Sequence, residues 1–473
     1  MYFVQFQTPF QYLLERLAAQ RLEPSDLRTF LRLGNPLACL SSDEKDSIRG
    51  GGFLPLNRIK TIVSMTTPRD LHVQNNTILP PFIEMDMSPE GFGCIYIPSM
   101  APTSSHSASV VGVSSLASQE TSVTGGIGMG DRAFPSQSGL SYSTWICIDK
   151  FSDPRTDPHP VRLLTIARTV KENGSEENYV CFALAMSARD KALIVSTNEV
   201  PLNKSCDWQP DFTSDHGARI WFPDLIKEGE WHHVIVVLNR QVLKNSSFSL
   251  YVNGQHIATQ KMHFISPTPG GGNLTLASSV YAYIGTPPHW RRHSRLCWKQ
   301  GPCTLIEDVA TPQLASLMFK LGPHYLGSLQ APQVATSGEV QGSQIGEDKI
   351  IFSLNSVSVS QMTLAMIKKV YSKVDNKFIA KQLGMGTGEN ATPIRILHNA
   401  AGHLMGPARS LGGVIIGYRG VRVFNPQPVS KVMETVGGPN VLLGIIAMAH
   451  DMECLYAAVK ALVCVIKSNP FTR

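Results

Sequence analysis

The dipeptide Asn253-Gly254, inside the run SLYVNGQHI, constrains this chain more than any other feature. A two-residue hairpin turn of type I′ needs positive φ at both central positions, which Asn and Gly tolerate best, so the flanking alternating runs are fixed as antiparallel strands. Similar strand-length runs surround it: GLSYSTWICID, NYVCFALAM, KALIVST, EWHHVIVVLNR, NLTLAS and YAYIGT. All are rich in β-branched and aromatic residues and are separated by Gly, Pro, Asn and Asp. Many short strands at regular spacing predict a sandwich or barrel. EWHHVIVVLN is apolar on both faces, which places it centrally in a sheet. Upstream, FIEMDM and CIYIP alternate around MSPEGFG and read as another hairpin, closed by Pro98.

Helical patterns flank this β region. Phe10, Leu13, Leu14 and Leu17 recur at helical spacing; Ser25 can cap a segment that buries Leu27, Phe30 and Leu31; LPLNRIKTIVSM forms a third helix. After a Gly/Ser/Gln-rich stretch, Met362, Met366, Ile367, Val370, Val374 and Phe378 are near helical spacing, and three further apolar helices follow, punctuated by Gly and Pro. The predicted organisation is therefore a helical segment over 1–66, a β-sandwich over 80–330, a linker over 331–350 and an armadillo-like helical segment over 351–473. Residues 101–138, rich in Ser, Thr and Gly, read as a disordered insertion in the sandwich. The chain stops after an apolar helix without a polar cap, as a short form or fragment of a longer protein would.

Only 16% of the 473 residues are charged and the net charge is +6, without the Lys/Arg runs of a nucleic-acid binder, so none is expected as partner. Nine scattered cysteines predict reduced thiols packed as small hydrophobes in a cytoplasmic chain. No nucleophile elbow, zincin helix or P-loop is present, which predicts no catalytic residue and no cofactor. His232 and His233 are adjacent on one strand and point to opposite faces, so they predict packing rather than one site. His289, His293, Cys297 and Cys303 would share a zinc ion only if their segment were helical, and no metal is assigned. Asp149, Asp153 and Asp157 offer carboxylates for calcium in a Pro-rich loop that also carries Lys150 and Arg155. The segment HWRRHSRLCWKQ interleaves Trp290 and Trp298 with Arg291, Arg292, Arg295 and Lys299, the pattern of a loop that docks on an anionic membrane or acidic partner.

STWICID, EGEWHHV, LYVNG, YIGT and LIEDVA together resemble the laminin-G/concanavalin A-like jelly roll. PLNRIKTIVSMTTPRD, GFGCIYIPSMAP, KFSDPRTDPHPVRLLT, ATPIRILHNAAGH and LYAAVKALVCVIKSNP resemble the central region of BEACH-family proteins, in the branch that also carries WD40 repeats and a FYVE finger. That resemblance implies a non-enzymatic scaffold or adaptor in endosomal vesicle traffic and selective autophagy, with a role in endosomal antigen handling in immune cells. It also implies protein partners and peripheral contact with endosomal or autophagic membranes. The alternative is a lectin-like glycan- or ligand-binding module.

Overall fold

Asn253 and Gly254 adopt φ of 51° and 75°, and Ser247–Val252 and Gln255–Lys261 pair antiparallel across them, as the turn chemistry demands. In this computed structural model the described residues are 17–18, 21–31, 56–66, 79–101 and, with short gaps, 134–468. The helix expected around Phe10–Leu14 and the body of the 101–138 insertion lie outside them.

In chain order the strands are β1 (Phe82–Asp86), β2 (Gly93–Ala101), β3 (Gly139–Lys150), β4 (Val161–Glu172), β5 (Ser175–Met186), β6 (Leu193–Ser196), β7 (Val200–Pro201), β8 (Gly217–Ile220), β9 (Trp231–Asn239) and β10 (Ser247–Val252). They continue as β11 (Gln255–Lys261), β12 (Ala277–Thr286), β13 (Cys297–Ile306), β14 (Gln333–Val334), β15 (Val340–Gln341), β16 (Ile350–Leu354), β17 (Val359–Thr363), β18 (Pro393–His398), β19 (Leu411–Ile416) and β20 (Val421–Phe424). One sheet runs β11-β10-β9-β3-β13-β1-β20, with β16 also on β13; the other runs β17-β18-β19-β2-β12-β4-β5-β6-β8, with β7 on β5. β14 and β15 pair only with each other. The inner faces close on one core, to which β9 contributes Val234, Val236 and Leu238. Its Ile235 and Val237 lie on the outer face under helix α3 (Pro312–Leu321), so both faces are buried as expected.

Three expectations about the sheets fail. β1 and β2 are not a hairpin: β1 pairs with β13 and β20, β2 with β12 and β19. The turn between them crosses the sandwich, so that Ile83 and Met85 meet Ile95 and Ile97 in the same core. Nor does Pro98 close its strand; it falls where the register with β12 shifts, and a missing N–H is tolerated at a bulge. The largest difference lies in 351–473. β16 to β20 complete both sheets, and among the described residues two α-helices, α4 (Leu364–Val370) and α5 (Lys373–Gln382), interrupt them. These helices bury Leu364, Ile367 and Ile379 against Tyr96, Tyr281 and Tyr283 on the outer face of the second sheet.

The remaining helices form a body of their own, drawn from residues up to Pro80 and from Asn425 onward. It contains α1 (Pro24–Phe30), α2 (Leu56–Thr66), α6 (Val429–Thr435), α7 (Pro439–Ala447) and α8 (Met452–Ser468). Leu27, Ile59, Ile62, Val432, Leu442 and Ala458 share its core. The two helical ends of the chain thus make one unit, not two flanks. Glu23, not Ser25, occupies the N-cap of α1, because Pro24 takes the first helical position, where its missing N–H costs nothing.

Candidate functional site

The structure divides the predicted docking loop. Trp290, in a short 3-10 turn, is buried and stacks flat on Trp208 with ring centroids 4.8 Å apart; the Arg162 guanidinium carbon sits 4.3 Å from its centroid. Trp298 faces the sandwich core. Neither indole is available to a bilayer, which corrects the expectation of interfacial anchors. Lys299 pairs with Asp149 at 2.7 Å, and Arg295 donates to the Phe151 carbonyl while its own N–H reaches Asp157. Arg291 is exposed, with its guanidinium 4.6 Å from the Phe92 ring centroid, and Arg292 is half-buried.

His289, His293, Cys297 and Cys303 are not brought together. The segment after the 3-10 turn is extended and then becomes β13, so the helical face they need never forms. His289 packs on Tyr283 and Trp290, His293 bonds to the Ser88 carbonyl, and Cys303 is buried in the core. Among the described residues no group of His, Cys, Asp and Glu is arranged to hold a metal. The loop carboxylates are also committed. Asp153 accepts from the backbone of Arg155 and Thr156, Asp157 from Asp153 and Arg295, and Asp149 from Lys299. Calcium takes six to eight converging oxygens, and these three acids do not converge.

His233 and Ser143 do meet, 2.9 Å apart, beside a cavity of about 70 Å³ under α3. Trp145 stacks between the His233 ring and Phe319. Burial alone pushes the imidazole down to about 3, so it is neutral, and no neighbouring charge contributes to that shift. A Ser-His pair without a carboxylate to orient and stabilise the imidazolium lacks the third part of a hydrolytic triad. His232 points the other way, accepting from the Lys227 N–H, and Asn253 bonds to both histidines through its side chain.

Exposed aromatic residues lie elsewhere, beside the edge strand β8. Phe212, Trp221 and Phe222 are 41%, 55% and 48% exposed. A small polar network links the first two: Arg219 lies over the Phe212 ring and pairs with Asp190, whose carbonyl accepts from the Trp221 indole N–H at 3.1 Å. Exposed aromatic side chains along one sheet edge offer flat apolar surface with a polar handle to a ligand. Sequence reasoning missed them because an aromatic residue next to a strand reads as core unless its face is known.

Residues 121–290 match the profile of the concanavalin A-like lectin/glucanases superfamily. Over 97% of its length the chain is 34% identical to WD repeat- and FYVE domain-containing protein 4 of Mus musculus and 33% identical to that of Homo sapiens. It is also 23% identical, over the same share, to Protein SPIRRIG of Arabidopsis thaliana. The chain belongs to the BEACH family, in its WD-repeat and FYVE-domain branch. This BEACH-family chain spans 16% of the length of the two mammalian relatives and 12% of the plant one. Its concanavalin A-like region, the stretch matched by the superfamily profile, lies within the sandwich Pro81–Phe424.

Proposed function

We propose that this segment is a ligand-binding piece of a cytoplasmic trafficking scaffold, and that its sandwich takes the ligand at the aromatic edge in a lectin-like manner. The observation that carries the reading is the exposure of Phe212, Trp221 and Phe222 beside strand β8, each by more than two-fifths, inside the superfamily match. The flat rings suit the C–H face of a sugar, and the Asp190–Arg219 pair, with about a third of each side chain exposed, borders them with polar atoms. Similarity across 97% of the chain supports a scaffold role in endosomal vesicle traffic and selective autophagy, with protein partners and peripheral membrane contact. The separate helical body fits an armadillo-like surface for such partners. A glycan array read with native chain and Trp221→Ala, each with and without chelator, tests the ligand. The expected signal is lost in the variant and indifferent to chelator. A signal that Trp221→Ala leaves intact overturns the edge as the site. Endosomal fractionation of a full-length relative with this segment deleted tests the setting; an unchanged distribution removes it.

A further inference from the structure

The turn Gly417-Tyr418-Arg419-Gly420, between β19 and β20, is braced far more heavily than a hairpin connection needs. Glu90, more than 300 residues away in sequence, accepts from the backbone N–H groups of Tyr418, Arg419 and Gly420 with one carboxylate oxygen, at 2.8, 2.8 and 3.0 Å. Such a nest of successive N–H groups fixes the backbone around the anion. Arg395 donates from below to the carbonyls of Gly417 and Val421. Gly417 has φ of 120°, and a Cβ at Gly420 would fall 2.5 Å from the Asp86 carbonyl oxygen, so the turn admits little else. All this rigidity displays two side chains to solvent. Tyr418 is 87% exposed, and Arg419 is exposed beside it.

The acids that border the turn are engaged, Glu84 by Arg422 and Asp86 by the N–H and hydroxyl of Ser88, while its exposed cations face solvent. Exposed Arg291 lies over Phe92, and Arg292 donates its N–H to the carbonyl of Gly91, next to Glu90. The Glu90 charge is already engaged by three N–H groups and by Arg291, so it does little to repel an incoming anion. Tyr and Arg are among the side chains that most often dominate binding energy, and a fixed backbone beneath them removes the loop's share of the ordering cost of association. We propose that Tyr418, Arg419 and Arg291 form a preorganised docking site for an acidic peptide segment, the arginines pairing with its carboxylates and the tyrosine packing on the chain between them. A bilayer is the less suitable anionic partner, because Trp290 and Trp298 are buried and Tyr418 by itself offers a membrane interface little aromatic area.

Fluorescence anisotropy of the full chain with a labelled pool of peptides, bearing Glu or Asp at alternate positions and mixed residues between, tests this. Arg419→Glu is expected to weaken binding about tenfold or more, and Tyr418→Ala about fivefold at unchanged charge, both with unaltered melting because the side chains are exposed. Glu90→Ala separates a built site from a diffuse positive patch. It adds net positive charge yet loosens the turn, so binding weakens if geometry matters and tightens if charge alone does. Tyr418→Ala and Glu90→Ala proteins that bind as well as native overturn the proposal. So does Arg419-dependent capture of phosphatidylserine vesicles without peptide binding.

Discussion

His159 and His233 sit in the interior as neutral rings, the first bonded to Thr286, Ser294 and the Arg292 carbonyl, the second to Ser143. Burial, aided at His159 by the nearby Arg162 charge, pushes both down to about 3 from an ordinary value of 6.5. Between these values the unfolded chain takes up a proton at each site that the folded chain refuses. Their stabilising effect is therefore complete above pH 6.5 and is lost as pH falls toward 3, at ~1.4 kcal/mol per pH unit per histidine. Urea titrations should show a loss of about 2 kcal/mol per histidine between pH 7 and pH 5, about 4 kcal/mol for the two. His233→Phe should remove part of that slope, whereas a slope unchanged by the substitution would contradict the assignment. In the adjacent pair, His232 and His233 are both buried and bonded on opposite faces of their strand, His232 to the Lys227 N–H and His233 to Ser143, so both are packing elements.

At the scale of elements, Asn253 does two jobs. It supplies a positive φ for the β10–β11 turn, and its side chain bonds to the His233 N–H and to the His232 ring. Asn253→Gly keeps the first and loses the second, so it should cost about 1 kcal/mol. Asn253→Ala loses both and should cost about 2–3 kcal/mol, since a non-Gly residue in the left-handed region adds about 1–2 kcal/mol. Chemical denaturation of the two variants checks the order; equal losses would mean that the backbone conformation contributes nothing. The turn was legible in the sequence because its chemistry is local. The β1–β2 connection was not, because a six-residue turn between two alternating runs looks the same whether it stays in one sheet or crosses to the other.

At the scale of the molecule, the sandwich is finished by residues that follow a long gap in the β pattern. β16 pairs with β13, β19 with β2 and β20 with β1, so each sheet depends on strands from beyond residue 350. A truncation spanning Pro81–Gln330 would leave β1, β2 and β13 with unpaired edges and apolar faces bare, and should aggregate on expression. Pro81–Phe424 should give a soluble species with a single cooperative melt. Soluble, cooperatively folded Pro81–Gln330 would show that the later strands are dispensable.

Local chemistry determined, from the sequence by itself, the antiparallel β character, the central place of β9, the Asn253-Gly254 turn and the family. Each rests on spacing or turn residues within a few positions, or on long matching phrases. Tertiary structure alone decided which tryptophans face water. Trp290 and Trp298 stand among cations in sequence and lie in the interior, while Trp221, in an unremarkable stretch, is exposed. It alone joined Glu90 to the backbone of Tyr418 and drew residues 350–424 into the sheets. The physical reason is the same throughout: exposure and long-range pairing are set by which faces meet, and a linear pattern records a residue's polarity but not its neighbour.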